Sequence, residues 1–463
     1  MPSPARSRLV RRLLGLVAVL LLAAFVFVVL RVLPTATGYV AKNACSGVFV
    51  AGRDPAQLAA EDLAPQWYVS FAVDRDEQRV EASILGLASR TAYYRPGLGC
   101  AVAIRTNPDR LRARGFDPPR APASAAPWPL GDGDTTRPDP PGLDRAALDA
   151  AVAAAFAEPD PAALRRTRAV VVIHDGTLVA ERHADGFDPA TPHLGWSMTK
   201  SVTAALAGQL VARGELALDA PAPVPAWQDD DRAAITLDQL LRMSSGLAFE
   251  ERYGPLADAT HMLFEVDDAA AVALHKPLAH PPDTVFSYSS GTSNIVSWLL
   301  RRRFAHLATY HRFPHEALFV PLGMRSAVFE ADASGTLVGS SFMYATARDW
   351  ARFGQLLLDD GVWQGQRLLP EGWVDYLRTP TKTSDKGDYG AHFWTNAPGK
   401  DGQRRLPHVP ADAFQAAGFQ GQAVLIVPSR RAVIVRLGMT HTQGAWDLDG
   451  FAAAALAALP ESP

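Results

Sequence analysis

Ser197 and Lys200 stand three residues apart in "GWSMTKSVTAAL" (195–206). A serine hydroxyl is a weak nucleophile until a neighbouring base takes its proton. A lysine amine can be that base once burial or cationic surroundings favour its neutral form. If a helix opens near Ser197, this spacing puts both side chains on the same side of its first turn. The helix N-terminus adds partial positive charge, which favours a developing anion. Lysine is scarce in this chain: there are six, and arginine makes up the rest of the 45 cationic residues. Ser-x-x-Lys also occurs by chance on helix surfaces, so the pair needs company. "FSYSSGTSN" (286–294) supplies Tyr288, a phenol able to partner Lys200, and "AAGFQGQAVLIVPS" (416–429) reads as a strand edge of small residues whose backbone N–H groups can face a ligand.

These residues need a scaffold. Val202, Leu206 and Leu210 recur at steps of four after Ser197 and predict a helix with one apolar face, ended by Gly214. "RAVVVIHDGTLVAERH" (168–183) is a hairpin about Asp175-Gly176. "QAVLIVPSRRAVIVRLG" (422–438) gives two more strands. Helices are expected over 143–157, 235–247, 346–361, with Gly361 as C-cap, and 446–459. A hairpin early, a hairpin late and helices at both ends predict an α+β domain over 143–463: an antiparallel sheet flanked by helices, with a helical subdomain inserted.

The order Ser-x-x-Lys, then Tyr-x-Ser, then a Gly-containing strand resembles that of the penicillin-recognising serine hydrolases. The wording of "GWSMTKSVTAALAGQLVARGELALDAP", "LDQLLRMSSGL", "YSSGTSNIVSWLL" and "YATARDWARFGQLLL" resembles the class C β-lactamase-related hydrolases, in the branch of 6-aminohexanoate-dimer hydrolase and related esterases. The resemblance covers most of 143–459. It implies a β-lactamase/transpeptidase-like fold, Ser197 as the acyl-forming nucleophile, and Lys200 and Tyr288 sharing the proton transfers. It also implies an oxyanion hole from the backbone N–H of Ser197 with that of Phe419, or of Gln422, and a substrate cleft touched by Ser290, Gly418, Gln422 and His441. Two departures stand out. Ser290 replaces the usual asparagine of the middle motif, and Ala416-Ala417-Gly418 replaces a Lys-Thr-Gly or His-Thr-Gly. The missing cation weakens the case for an anionic β-lactam as substrate. His441 follows the last strand and can line the site, but a surface-loop histidine is the favoured reading.

The N-terminus carries a different signal. Residues 13–30, "LLGLVAVLLLAAFVFVVL", hold no charge, and Arg6, Arg8, Arg11 and Arg12 precede them. A span needs roughly 20 apolar residues, and Val32 and Leu33 extend the run. The arginines put the N-terminus in the cytoplasm and the rest across the inner membrane, on the periplasmic side. A cleaved signal peptide is the alternative, with "TATGYVA" (35–41) as its cleavage region. Cys45 and Cys100 both follow the span, and an oxidising compartment favours a disulfide between them over two separate thiols. The expected division is a transmembrane anchor at 1–35, a small β-rich module at 36–105, a Pro-rich linker at 106–142 and the catalytic domain at 143–463.

The net charge of −3 gives no reason to expect a nucleic acid partner. "HRFPH" sets His311 and His315 four apart, but Pro314 argues against a clean helix, so no metal site is expected. No cofactor fingerprint is present, and the oligomeric state is open. The expected function is a membrane-anchored serine hydrolase of a small ester or amide. The alternatives are a DD-peptidase or transacylase, and a ligand-binding protein on the same fold that does not turn over.

Overall fold

The computed structural model describes residues 4–133 and 138–461. Residues 1–3 of the expected anchor, 134–137 of the linker and 462–463 of the catalytic domain lie outside the described residues. The chain begins as one unbroken helix. α1 (Pro4–Phe27) passes through a π turn at Val28–Val32 into α2 (Leu33–Phe49). Side chains from 11 to 28 are exposed, and most from Pro34 to Val48 are buried. Among the described residues this is the one helix long and apolar enough to cross a membrane, a length and composition that also suit a signal sequence.

Residues 36–49, read from sequence as the start of a β-rich module, are therefore helical. The sheet follows: β1 (Ser70–Asp74), β2 (Arg79–Ile84), β3 (Leu87–Arg95) and β4 (Gly99–Val102), antiparallel in that order. It packs on α2, with Val40, Ala41 and Ala44 against Val80, Ala82 and Ala92. A disulfide joins Cys45 of α2 to Cys100 of β4. The other flank of α2 meets the rest of the chain. Lys42 Nζ lies 2.5 Å from Glu330 Oε2, with both side chains buried, and Ser46 Oγ donates to Glu330 Oε1 at 2.7 Å.

The proline-rich segment is fastened rather than free. Proline leaves carbonyls without matching N–H donors, and arginine fills them. Arg352 Nε donates to Pro129 O at 3.1 Å and Nη2 to Gly131 O at 2.6 Å. Trp128 is buried in the main core.

The main body comprises, in chain order, α3 (Arg145–Ala155), β5 (Thr167–His174), β6 (Thr177–His183), β7 (His193–Leu194), α4 (Met198–Ala212), α5 (Asp258–Phe264), α6 (Ser290–Arg301), β8 (Val328–Phe329), β9 (Met343–Ala345), α7 (Ala347–Leu358), β10 (Trp394–Thr395), β11 (Phe414–Gly418), β12 (Gln422–Val427), β13 (Ala432–Gly438) and α8 (Leu448–Ala458), joined by shorter turns and helices. The six-stranded sheet has the order β10-β11-β12-β13-β5-β6, antiparallel throughout. Alternate residues of its central strands point to opposite faces. Val170, Val172, Leu425 and Ile434 meet α3 and α8. Val171, Val424, Val433 and Val435 join the larger core with α4 and α7. This mixed α/β arrangement on an antiparallel sheet agrees with the expected fold class.

Three local expectations change. α4 is buried almost all round, so it is a central helix rather than a one-faced one. Of 235–247 only Leu237–Leu241 is helical. A Thr236–Gln239 capping box starts it, and positive φ at Met243 and Gly246 turns the chain away. Pro314 does not end its helix, because a π turn at His315–Phe319 carries the chain past it. His311 and His315 lie buried there, each pulled down to about 4 chiefly by burial, and His311 Nε2 meets Gly335 O at 2.8 Å.

Candidate active site

The approach to Ser197 is set by a short sheet. β7 pairs with β9, and Gly195 N donates to Met343 O at 2.8 Å. Trp196 then adopts φ 47, a left-handed conformation costing a bulky residue about 1–2 kcal/mol. Its surroundings hold it there. The indole Nε1 donates to Gln420 Oε1 at 3.2 Å, and the ring packs against Tyr39, Phe342 and Phe419. This turn sets Ser197 at the N-cap of α4, half-buried, with Lys200 fully buried one turn on.

Lys200 Nζ has three polar neighbours: Ser197 Oγ at 3.0 Å, Ser290 Oγ at 2.9 Å and Ser340 O at 3.0 Å. Proton accounting gives these bonds a direction. Ser340 O can only accept. Ser290 Oγ gives its one proton to Glu251 Oε1 at 2.6 Å, so it too accepts from Lys200. A neutral amine has two N–H bonds and one lone pair. With both N–H bonds committed, the lone pair faces Ser197 Oγ, the orientation of a general base. Once protonated, the third N–H points back at the same oxygen, the orientation of a general acid.

Glu251 therefore controls the geometry, although nothing in its sequence spacing marks it. It accepts from Ser290 N at 2.7 Å, from Ser290 Oγ, and from Tyr253 OH at 2.7 Å. A glutamine there would turn an NH2 group toward one of these donors. Glu251→Gln is expected to lower kcat about 10- to 100-fold, from loss of a charge-assisted hydrogen bond, with a smaller change in KM. Steady-state ester hydrolysis over a pH series checks this, and unchanged kcat across the series refutes it.

Beneath Lys200 lies His392, buried, its pKa pushed down to about 3 by burial and then by the Lys200 charge. Its Nδ1 is 3.1 Å from Lys200 O, and its Nε2 is 3.1 Å from Ser293 Oγ. A carbonyl only accepts, so Nδ1 carries the hydrogen and Nε2 accepts from the serine. The neutral ring pins the first turn of α4 to α6. Sequence inspection missed His392 because it lies on a loop far from both motifs.

Tyr288 presents its ring to the amine, with Lys200 Nζ 4.9 Å from the centroid. The ring stacks on Trp394 at 5.3 Å. On Trp394 in turn lies the Arg405 guanidinium, 4.1 Å from the ring centroid.

Gly418, at the end of β11, lies so close to Gly195 that a Cβ there would collide with the Gly195 carbonyl. Only glycine lets this strand edge approach the Ser197 turn. Phe419 follows, exposed, with its ring edge against Trp196 and its face against Tyr253. The structure thus brings Ser197, Lys200, Tyr288, Ser290, Gly418 and Phe419 into one neighbourhood. Gln422 and His441 have other partners. The Gln422 amide closes on Gly438 N at 2.9 Å and Gly438 O at 2.5 Å, bracing β13. His441 Nε2 is 2.8 Å from Glu61 O, and its Nδ1 is 3.3 Å from Gln420 Nε2. Both of its ring nitrogens thus have partners within the fold.

Comparison with known proteins agrees with this picture. A protein-family model described as Beta-lactamase matches residues 152–458. A 6-aminohexanoate-dimer hydrolase of Paenarthrobacter ureafaciens is 25% identical over 58% of this chain and 72% of its own. Among solved structures, a Bacillus anthracis protein proposed to be a 6-aminohexanoate-dimer hydrolase aligns with TM-score 0.52 and 23% identity, over 64% of this chain and 78% of its own. A family VIII carboxylesterase aligns with TM-score 0.55 and 16% identity, over 70% of this chain and 99% of its own.

Proposed function

The chain belongs to the β-lactamase family and is a serine hydrolase, and from that premise we propose that it cleaves a small ester or amide through an acyl-enzyme on Ser197, at a site anchored to the periplasmic face of the inner membrane. The observation that carries this reading is the three-way contact of Lys200 with Ser197 Oγ, Ser290 Oγ and Ser340 O. Lys200 takes the Ser197 proton as Oγ attacks the carbonyl carbon. The resulting oxyanion faces the backbone N–H groups of Ser197 and Phe419, each donor being worth about 3 kcal/mol in the transition state. The leaving oxygen or nitrogen departs with the proton held by Lys200, the Tyr288 phenol sharing that transfer. Water then attacks the acyl carbon, giving a proton to Lys200, which passes it to Ser197 Oγ as the bond from that oxygen to the acyl carbon breaks and the free acid leaves. Labelling with a fluorophosphonate followed by digestion tests the assignment, and an adduct on any other serine overturns it.

The anchor reading rests on two supports. The exposed apolar helix continues into buried α2, and the cleavage region "TATGYVA" falls inside that buried helix, where Thr35 and Thr37 are covered. The Cys45–Cys100 disulfide suits an oxidising compartment. We take 143–463 as the catalytic domain and 36–105 as a module built onto it.

An anionic β-lactam needs a cation where Ala416-Ala417-Gly418 offers none, and an unpaired carboxylate in a partly dry cleft is costly. Side by side, kcat/KM for nitrocefin is expected to fall at least about tenfold below that for a short-chain p-nitrophenyl ester, a gap of about 1.4 kcal/mol or more. Equal or faster nitrocefin turnover removes the esterase-like preference. One observation favours a second reading, a peptidase-like enzyme of carboxylate-bearing substrates. Arg405 stands one ring beyond Tyr288, on Trp394. If it serves as the missing cation, Arg405→Ala slows nitrocefin and leaves the neutral ester unaffected.

A further inference from the structure

One end of the four-stranded sheet is apolar and uncovered. Ser70 of β1 pairs with Ser83 of β2, so the residues entering β1 and those leaving β2 emerge together. They are Trp67 and Tyr68 on one side, Leu85 and Leu87 on the other. Trp67 is 84% exposed and Leu85 94%, with the other two also exposed. Leu85 forms the hairpin tip at φ 51, a conformation that Asn or Gly adopts at lower cost. A leucine held there in water has no packing reward within the chain.

The same end lies against the N-terminal helix. Thr37 Oγ1 donates to Ala88 O at 2.7 Å, and β3 packs on the Val28–Val32 turn. The tip is therefore level with the part of the helix where exposed apolar residues, such as Leu30, give way to the buried Pro34 and Thr35. That is where an anchored helix leaves the hydrocarbon.

We propose that this sheet end is a seat on the lipid bilayer, and the proposal rests on reading α1 as a membrane anchor. Leu85 and Leu87 enter the edge of the leaflet, and Trp67 and Tyr68 lie at headgroup level, where such amphipathic rings concentrate. Two independent attachments, the spanning helix and the seat, then fix the tilt of the body. Tyr39 stacks on Trp196, the residue before the nucleophile, with centroids 6.5 Å apart. Tyr39 lies seven residues beyond Val32, which places Trp196 about 10 Å above the seat at about 1.5 Å per helical residue.

The test uses the full chain in phosphatidylcholine–phosphatidylglycerol vesicles. Both native cysteines are in the disulfide, so one introduced cysteine takes a bimane label alone. Leu20→Cys reports the anchor and Leu85→Cys the seat, both positions exposed enough to leave the fold intact. Most bimane emission at residue 20 should be lost to a deep nitroxide lipid, and most at residue 85 to a shallow one. Quenching at 20 without quenching at 85 overturns the seat and leaves the anchor standing. No quenching at either position overturns both. A label at 85 unquenched by lipid yet shielded from aqueous iodide shows a protein covering this face, which also overturns the proposal.

Discussion

Ser197→Ala is expected to abolish ester turnover, kcat falling at least about 10⁴-fold, as when one member of a nucleophile–base unit is removed. Lys200→Ala should fall equally far, and the double variant no further, because the two residues act as one unit. The half-buried serine loses only an oxygen, so its variant should melt where the parent does. Lys200→Ala opens a void next to Ser290 and Ser340, so its fold is checked by near-ultraviolet circular dichroism before its rate is read. If Ser197→Ala retained more than a small fraction of activity, or if the double variant were far slower than either single, the pair would not be the nucleophile and its base.

The second large effect is structural. Glu330 is fully buried and accepts from Lys42 Nζ, from Ser46 Oγ, and from Cys100 N at 2.7 Å. Lys42 lies on the Phe342 ring, 3.7 Å from its centroid, and burial pulls its pKa below the ordinary lysine value while Glu330 opposes that shift. Glu330→Ala removes the counter-charge and leaves a buried ammonium. Breaking a buried pair from one side costs about 3–5 kcal/mol, readable as a lower denaturant midpoint at constant slope. The deficit should depend on pH. With its folded pKa lowered further, Lys42 binds fewer protons in the native state than in the unfolded one, so stability rises with pH. The variant should therefore recover between neutrality and the ordinary lysine pKa. A pH-independent deficit would falsify the account in terms of charge.

How much of this was legible in the sequence varies with distance along the chain. Ser197 and Lys200 share one helical turn, so their spacing alone brings them together. Tyr288 and Ser290 followed from a short motif and a family order. Glu251, His392 and Arg405 were not legible, because each reaches the site from a loop whose path only the folded chain determines. The two hairpins and the terminal helices of the body were visible in their β-branched runs, turns and caps. α2 was not. Its "TGYVAKNACSG" is rich in glycine, threonine and small residues, which read as a poor helix. They are small because neighbours press on them: a Cβ at Gly38 would meet the Phe264 carbonyl, and one at Gly47 the Leu58 side chain. Packing overrides propensity here, and no local pattern reports it.

Because the apolar helix and the buried α2 are one element from Pro4 to Phe49, the positions at which the chain can be cut are restricted. A protease severing 35–41 would strip away Thr35, Thr37 and Tyr39, which bind Glu265, Ala88 and Trp196. A cut after Phe49 falls between Cys45 and Cys100, so the helix with Lys42 would stay tied to the body through the disulfide. Ahead of Cys45, only a cut at or before about Leu33 leaves the core whole. Past that point the helix holds no dispensable spacer, because each further turn removed takes packing from the body.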